Sequence, residues 1–156
     1  MRWSPRVTVA AVITDTEGRH LLVEESPEGT PVFNQPAGHL EANETLLDAV
    51  CREVYEETCR TFEPQGLVGI YQWVAPSGDT YLRFCFHGVV EQRVEDCDLD
   101  PDISATHWLD QRQIENNEIA LRSPMVKRCI LDFVNGSSTH LACLHDMASA
   151  ARQFHE

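Results

Sequence analysis

The stretch Gly38-His39-Leu40-Glu41-Ala42-Asn43-Glu44-Thr45-Leu46-Leu47-Asp48-Ala49-Val50-Cys51-Arg52-Glu53-Val54-Tyr55-Glu56-Glu57-Thr58 decides how this chain is read. As far as Glu44 it is loop, with glycine, asparagine and acidic residues in no apolar period. From Thr45 onward apolar residues recur every three or four positions, the helical period. Thr45 and Asp48 fit a capping box, so the spacing predicts a helix over 45–58. At about 100° per residue, Leu47, Val50, Cys51, Val54 and Thr58 fall on one stripe that should pack on a sheet. Glu53, Glu56 and Glu57, at i, i+3 and i+4, meet on a neighbouring face. Ala49, one turn earlier on that face, is small enough to leave room for a ligand beside them. Like charges so spaced oppose a bare helix by a few tenths of a kcal/mol per pair, and Arg52 is the only cation nearby. Taken alone, the three carboxylates read either as a solvated acidic surface or as an oxygen-only metal site. The second suits Mg2+ or Mn2+ and not zinc.

Outward from this helix, β-branched residues from Val7 to Ile13 predict a strand, paired as a hairpin with Leu21–Val23 across the turn Asp15–Gly18. Val32–Pro36 is a short extended piece. Further strands are expected at Leu67–Val74, Tyr81–Val90 and Ile103–Leu109, with a turn at Pro76–Asp79. Helices follow near Gln111–Glu115 and after Ser123, which suits an N-cap with Pro124 at the first helical position and Asn135-Gly136 as the stop. Leu144–Phe154 reads as a short terminal helix. Strands and helices without regular βαβ alternation imply an α+β fold, an α/β/α sandwich on a mixed sheet. Residues 1–136 form the domain and 137–156 a tail belonging to it.

The whole chain has 156 residues, 25 acidic and 12 basic, for a net charge of −13. That length suits one domain with an adequate core. The charge excludes bulk attraction to nucleic acid or to an anionic membrane. No apolar run reaches the ~18 residues that span a bilayer, and Met1–Pro5 has no apolar region after its arginine, so a cytoplasmic protein is expected. The six cysteines contain no C-x-x-C pair, and all are read as reduced core thiols. Cys143, His140, His145 and Asp146 fit no standard metal spacing.

Gly38, Glu44 and Arg52-Glu53-Val54-x-Glu56-Glu57, taken with their spacing, resemble the Nudix box, G-x5-E-x7-R-E-U-x-E-E-x-G-U, where U is aliphatic. Cys59 and Arg60 depart from its last two positions. A glycine there permits a left-handed helix exit, so Cys59 either bears a cost of about 1 kcal/mol or remodels the exit. Asn34–Glu41, Gln72–Pro76, Leu82–Phe84, Trp108 and Leu121–Pro124 are also similar to the bacterial NudJ-type phosphatases within that family. The resemblance implies a loop–helix–loop catalytic motif on the sandwich. It also implies hydrolysis of phosphoanhydride bonds in nucleoside tri- or diphosphates or related pyrophosphates such as that of hydroxymethylpyrimidine. ADP-ribose or dinucleoside polyphosphates are alternative substrates, and a nucleotide-binding module without catalysis is the non-enzymatic alternative. It further implies that Glu53, Glu56 and Glu57 hold Mg2+, or Mn2+ in its place, with a backbone carbonyl near Gly38. Arg52 would position the glutamates through Glu44, and Glu56 or Glu53 would take a proton from the attacking water. Arg83 is read as a phosphate contact or a surface arginine, and Trp73, beside Gln72, as a ring-stacking residue or sheet packing. His39 is read as a loop residue and Trp108 as core. The implied partner is a small phosphate substrate; monomer and homodimer are both open.

Overall fold

A computed structural model describes residues 1–147. It contains β1 (Arg6–Ile13), β2 (His20–Glu25), β3 (Val32–Asn34), β4 (Ala37–His39), α1 (Leu46–Thr58), β5 (Phe62–Val74), β6 (Thr80–Val90), β7 (Ile103–Leu109), α2 (Gln111–Glu115) and α3 (Pro124–Val134). The strands form a four-stranded sheet in the order β4-β1-β6-β5 and a three-stranded sheet in the order β3-β2-β7. The first is mixed: β1 runs parallel to β6, with Val9 opposite Phe84, and the other pairs are antiparallel. The second is antiparallel throughout.

Two apolar clusters make the sandwich. On one side α1 lays Ala49, Val50 and Val54 against Val9, Ala11, Ile13, Leu21 and Phe86. On the other, α3 lays Val126, Cys129 and Ile130 against Ala10, Val12, Leu22 and Cys85. β1 feeds both clusters because its successive side chains alternate between the faces. The sandwich class expected from sequence is therefore found.

Three local expectations change. The β1–β2 hairpin closes with a single bridge, Thr14 to His20, after which the strands diverge into different sheets. A two-sheet core needs β1 and β2 to carry apolar residues into separate layers, and turn chemistry alone does not register that. Ala49 is fully buried in the first cluster, so it opens no space for a ligand. The Thr45 hydroxyl caps α1 by accepting the Asp48 N–H at 3.0 Å, whereas Asp48 returns no bond to Thr45 among the described hydrogen bonds.

The cysteine reading is corrected as well. Cys59 and Cys97 form a disulfide, while Cys51, Cys85, Cys129 and Cys143 are thiols. The expectation of six reduced thiols failed because 38 residues separate this pair and only the tertiary fold brings them together. Beyond α3, Thr139 bridges to Leu67, and Leu141 and Leu144 pack on the first cluster. The expected terminal helix falls mostly outside the described residues. Among those described, no helix is long and apolar enough to cross a membrane.

Candidate active site

Arg52 ties the loop before α1 to the carboxylates on it. Its guanidinium donates two bonds to Glu44, from Nε at 3.0 Å and from Nη2 at 2.8 Å. Nη1 reaches Glu53 at 2.8 Å and Glu56 at 3.3 Å. Nη2 also donates to the His39 carbonyl at 3.0 Å. A planar fork bidentate to one carboxylate fixes geometry in a way that a lysine cannot. Glu44 accepts the Glu41 N–H at 2.7 Å as well. Arg52, followed by that backbone bond, holds the Glu44 carboxyl below its ordinary range, and Glu44 in turn raises the Arg52 guanidinium.

The three α1 carboxylates have unequal surroundings. Glu56 is open to solvent, with its side chain 44% exposed, whereas that of Glu53 is 12% exposed. Glu57 is buried, at 5% exposed. One of its oxygens has no hydrogen-bond partner. Burial, together with the nearby charges of Glu53, Glu25 and Asp100, pushes the Glu57 carboxyl up to about 10, against a weaker opposing bond from the Ala37 backbone. Burial also raises Glu53, more than Arg52 lowers it.

Gly38 is needed for the packing of Glu53. A Cβ at this position would collide with the Glu53 carboxylate, so glycine leaves the space in which that carboxylate packs between β4 and α1.

The cleft above these carboxylates is also lined by Thr8, Asn34, Trp73, Tyr81 and Arg83. Arg83 is buried, at 6% exposed, which removes the surface alternative. It donates to the neutral Gln35 side chain at 2.9 Å. Its Nε has no partner, and no carboxylate among the described residues pairs with it. Trp73 stands opposite Tyr81 on the β5–β6 ladder, with ring centroids 5.8 Å apart and planes tilted by 31°. Gln72 does not line this cleft, because alternate strand residues face opposite ways. His39 is exposed and engages through its carbonyl. Trp108 packs against the first core cluster, with the Arg60 guanidinium 5.5 Å from its ring centroid.

Sequence reasoning missed Thr8, Tyr81, Glu25 and Asp100. Thr8 reaches the cleft through the parallel register that sets it beside Arg83, and nothing local in the sequence encodes that pairing. Tyr81 had a weak signal as the cross-strand partner of Trp73.

The donor set can be tested for a divalent cation. No three His, Cys, Asp or Glu side chains among the described residues form a ready-made metal cage. Mg2+ seldom uses one, because it retains waters and shares its shell with substrate phosphates. An unpartnered buried carboxylate oxygen beside a second half-buried carboxylate is the environment that a hard cation relieves. This environment fits a hard divalent cation such as Mg2+ or Mn2+, which Glu53, Glu56 and Glu57 would hold.

Comparison with known proteins accords with this geometry. Residues 4–129 match the NUDIX domain. Phosphatase NudJ of Escherichia coli K12 is 40% identical over 144 residues, 92% of this chain and 93% of that protein. A NUDIX hydrolase of known structure from Nitrosomonas europaea superposes with a TM-score of 0.86 at 44% identity, covering 92% of this chain and 97% of the other. The NUDIX domain of Shewanella oneidensis NrtR, solved with ADP ribose, shares the fold with a TM-score of 0.68 at 17% identity, over 86% of this chain and 89% of that one. Domain, relatives and structure agree: this chain belongs to the Nudix family and is a Nudix hydrolase.

Proposed function

We propose that the enzyme hydrolyses phosphoanhydride bonds in nucleoside tri- or diphosphates, or in related pyrophosphates such as hydroxymethylpyrimidine pyrophosphate, and that it requires Mg2+. One observation carries this reading: a single cleft holds a buried carboxyl and a buried guanidinium, Glu57 and Arg83, each with an unpartnered polar atom. Unpaired buried charge is costly. A divalent cation answers the carboxylate and a phosphate answers the guanidinium, so one metal–phosphate substrate complements both.

Bound there, Mg2+ supplies charge neutralisation and water activation. The chain itself supplies the remaining functions. Arg52 and Glu44 hold Glu53 and Glu56 in place. Glu56, the most open of the three carboxylates, is the one best placed to exchange a proton with water. Arg83 positions a phosphate and stabilises charge on it. Trp73 and Tyr81 offer an aromatic wall for a base or pyrimidine ring. The name of the E. coli relative, a phosphatase, supports phosphate release.

A panel of nucleoside tri- and diphosphates, hydroxymethylpyrimidine pyrophosphate, ADP-ribose and a dinucleoside polyphosphate tests the reading. The products are separated into orthophosphate and pyrophosphate, with and without Mg2+. Turnover of the first three classes only with Mg2+ is expected. Preference for ADP-ribose or the dinucleoside compound, or no turnover of the first three classes with Mg2+ present, overturns the substrate class.

A further inference from the structure

We infer that Cys59 and Cys97 are a thiol–disulfide control site. Oxidised, the pair clamps the acidic segment 91–102 against the carboxylate end of α1. Reduced, it frees that segment and weakens divalent-cation binding. The inference rests on reading Glu53, Glu56 and Glu57 as the cation site.

The placement of the pair carries the argument. Cys59 directly follows Glu56-Glu57-Thr58 and is fully buried. It occupies the helix C-cap with φ +54°, the left-handed conformation that favours glycine, and glycine is what the box consensus has there. A cysteine in that conformation bears a backbone cost that its disulfide gives a reason to keep. Cys97 is half-buried and sits in the segment between β6 and β7, which has no helix or strand.

That segment is attached to α1 almost wholly through the same helix end. The Val94 N–H donates to the Cys59 carbonyl at 2.9 Å, the Asp100 N–H to the Glu56 carbonyl at 2.8 Å, and the Glu91 N–H to the Thr61 carbonyl at 3.0 Å. Arg60 donates to the Glu91 carbonyl at 3.0 Å. The segment is also acidic, with Glu91, Glu95, Asp96, Asp98, Asp100 and Asp102 against a single cation, Arg93. Asp100 and Asp102 line the same cleft as the α1 carboxylates. Asp100 and Asp102 thus face like charge across the cleft, and with the covalent tie open only the hydrogen bonds above oppose that repulsion. The departure of Asp100 and Asp102 from this cleft reduces the negative potential that attracts a cation.

The chemistry balances with a dithiol as reductant. One of its thiolates attacks the Sγ of Cys97, the more exposed partner, and Cys59 leaves as a thiolate that takes up a proton. The second thiol of the reductant then resolves the mixed disulfide and frees Cys97. Two electrons and two protons pass to the protein, and the dithiol becomes a cyclic disulfide.

The test compares full-length protein as the disulfide with protein reduced by dithiothreitol and then freed of it. Free thiols are counted, Mn2+ affinity is read by electron paramagnetic resonance, and amide exchange is followed at Val94 and Asp100. Cys97→Ser and Cys59→Gly are run beside the wild type, the glycine being suited to the left-handed position should the serine variant fold poorly. Reduction is expected to expose two further thiols, raise the Mn2+ dissociation constant at least about threefold and speed exchange at both amides. Each variant is expected to match the reduced form and to be indifferent to dithiothreitol. Equal Mn2+ affinity in the two redox forms, or a disulfide that resists the dithiol in the native protein, overturns the inference alone. No Mn2+ binding in either form overturns the cation-site reading with it.

Discussion

At the scale of single residues, Gly38 and Glu57 show how the site trades stability for function. The Cβ of Gly38→Ala would collide with the far end of the Glu53 side chain and not with backbone. A flexible carboxylate can swing away, so the fold should survive while Glu53 loses its position. The expected outcome is a melting temperature within a few degrees of wild type and turnover lowered at least about tenfold. A variant with full activity would mean that Glu53 is not needed where it stands. Glu57→Gln makes the complementary case. In the metal-free protein this carboxyl is buried and pushed up to about 10, so a neutral amide of the same shape should leave the fold as stable or more so. Turnover should nevertheless fall at least about a hundredfold, because a ligand charge is gone. Thermal melts and phosphate release on one preparation separate the two effects, and near-wild-type activity would remove Glu57 from the site.

At the scale of elements, α1 works because a loop residue and helix residues share one guanidinium. Arg52→Lys keeps the charge but loses the fork to Glu44, so Glu44, Glu53 and Glu56 can no longer be held by one group. Turnover should drop at least about tenfold, with KM changing less than kcat. A selective rise in KM would place Arg52 on the substrate instead. This helix was the most legible part of the sequence, since its period, its Thr45 cap and the spacing of its carboxylates are all local properties. The elements less well read depend on distant partners. The partial β1–β2 hairpin, the burial of Ala49 and the Cys59–Cys97 bond are set by which layer each segment joins. Arg83 illustrates the same limit: its residue type suggested phosphate, but its burial and the orphaned Nε follow from its seat between β1 and β5 in the sheet.

At the scale of the molecule, the charge of −13 bears on stability as well as on partners. Glu57 has a folded pKa of about 10 against an ordinary 4.5. The folded state therefore holds a proton that the unfolded state gives up. That contribution is complete below about 4.5 and is lost as pH rises towards 10. Glu44 runs the other way, because Arg52 lowers it; its contribution is present above the ordinary value and is lost as pH falls through the lowered one. Repulsion among the remaining acids also grows above the isoelectric point near 4.8. Together these place the greatest metal-free stability in the mildly acidic range, with a decline into alkali. The proposed divalent cation at Glu57 would displace that proton and offset this alkaline loss, contributing about 2.7 kcal/mol when present at a hundredfold excess over its dissociation constant. Melting curves at about pH 6 and about pH 9, with and without Mg2+, check the sign. Mg2+ should raise the melting temperature more at the higher pH, and its binding near neutrality should release protons, seen as heats that vary with buffer ionisation enthalpy. A Mg2+ effect equal at both pH values, without proton release, would show that the cation binds away from Glu57.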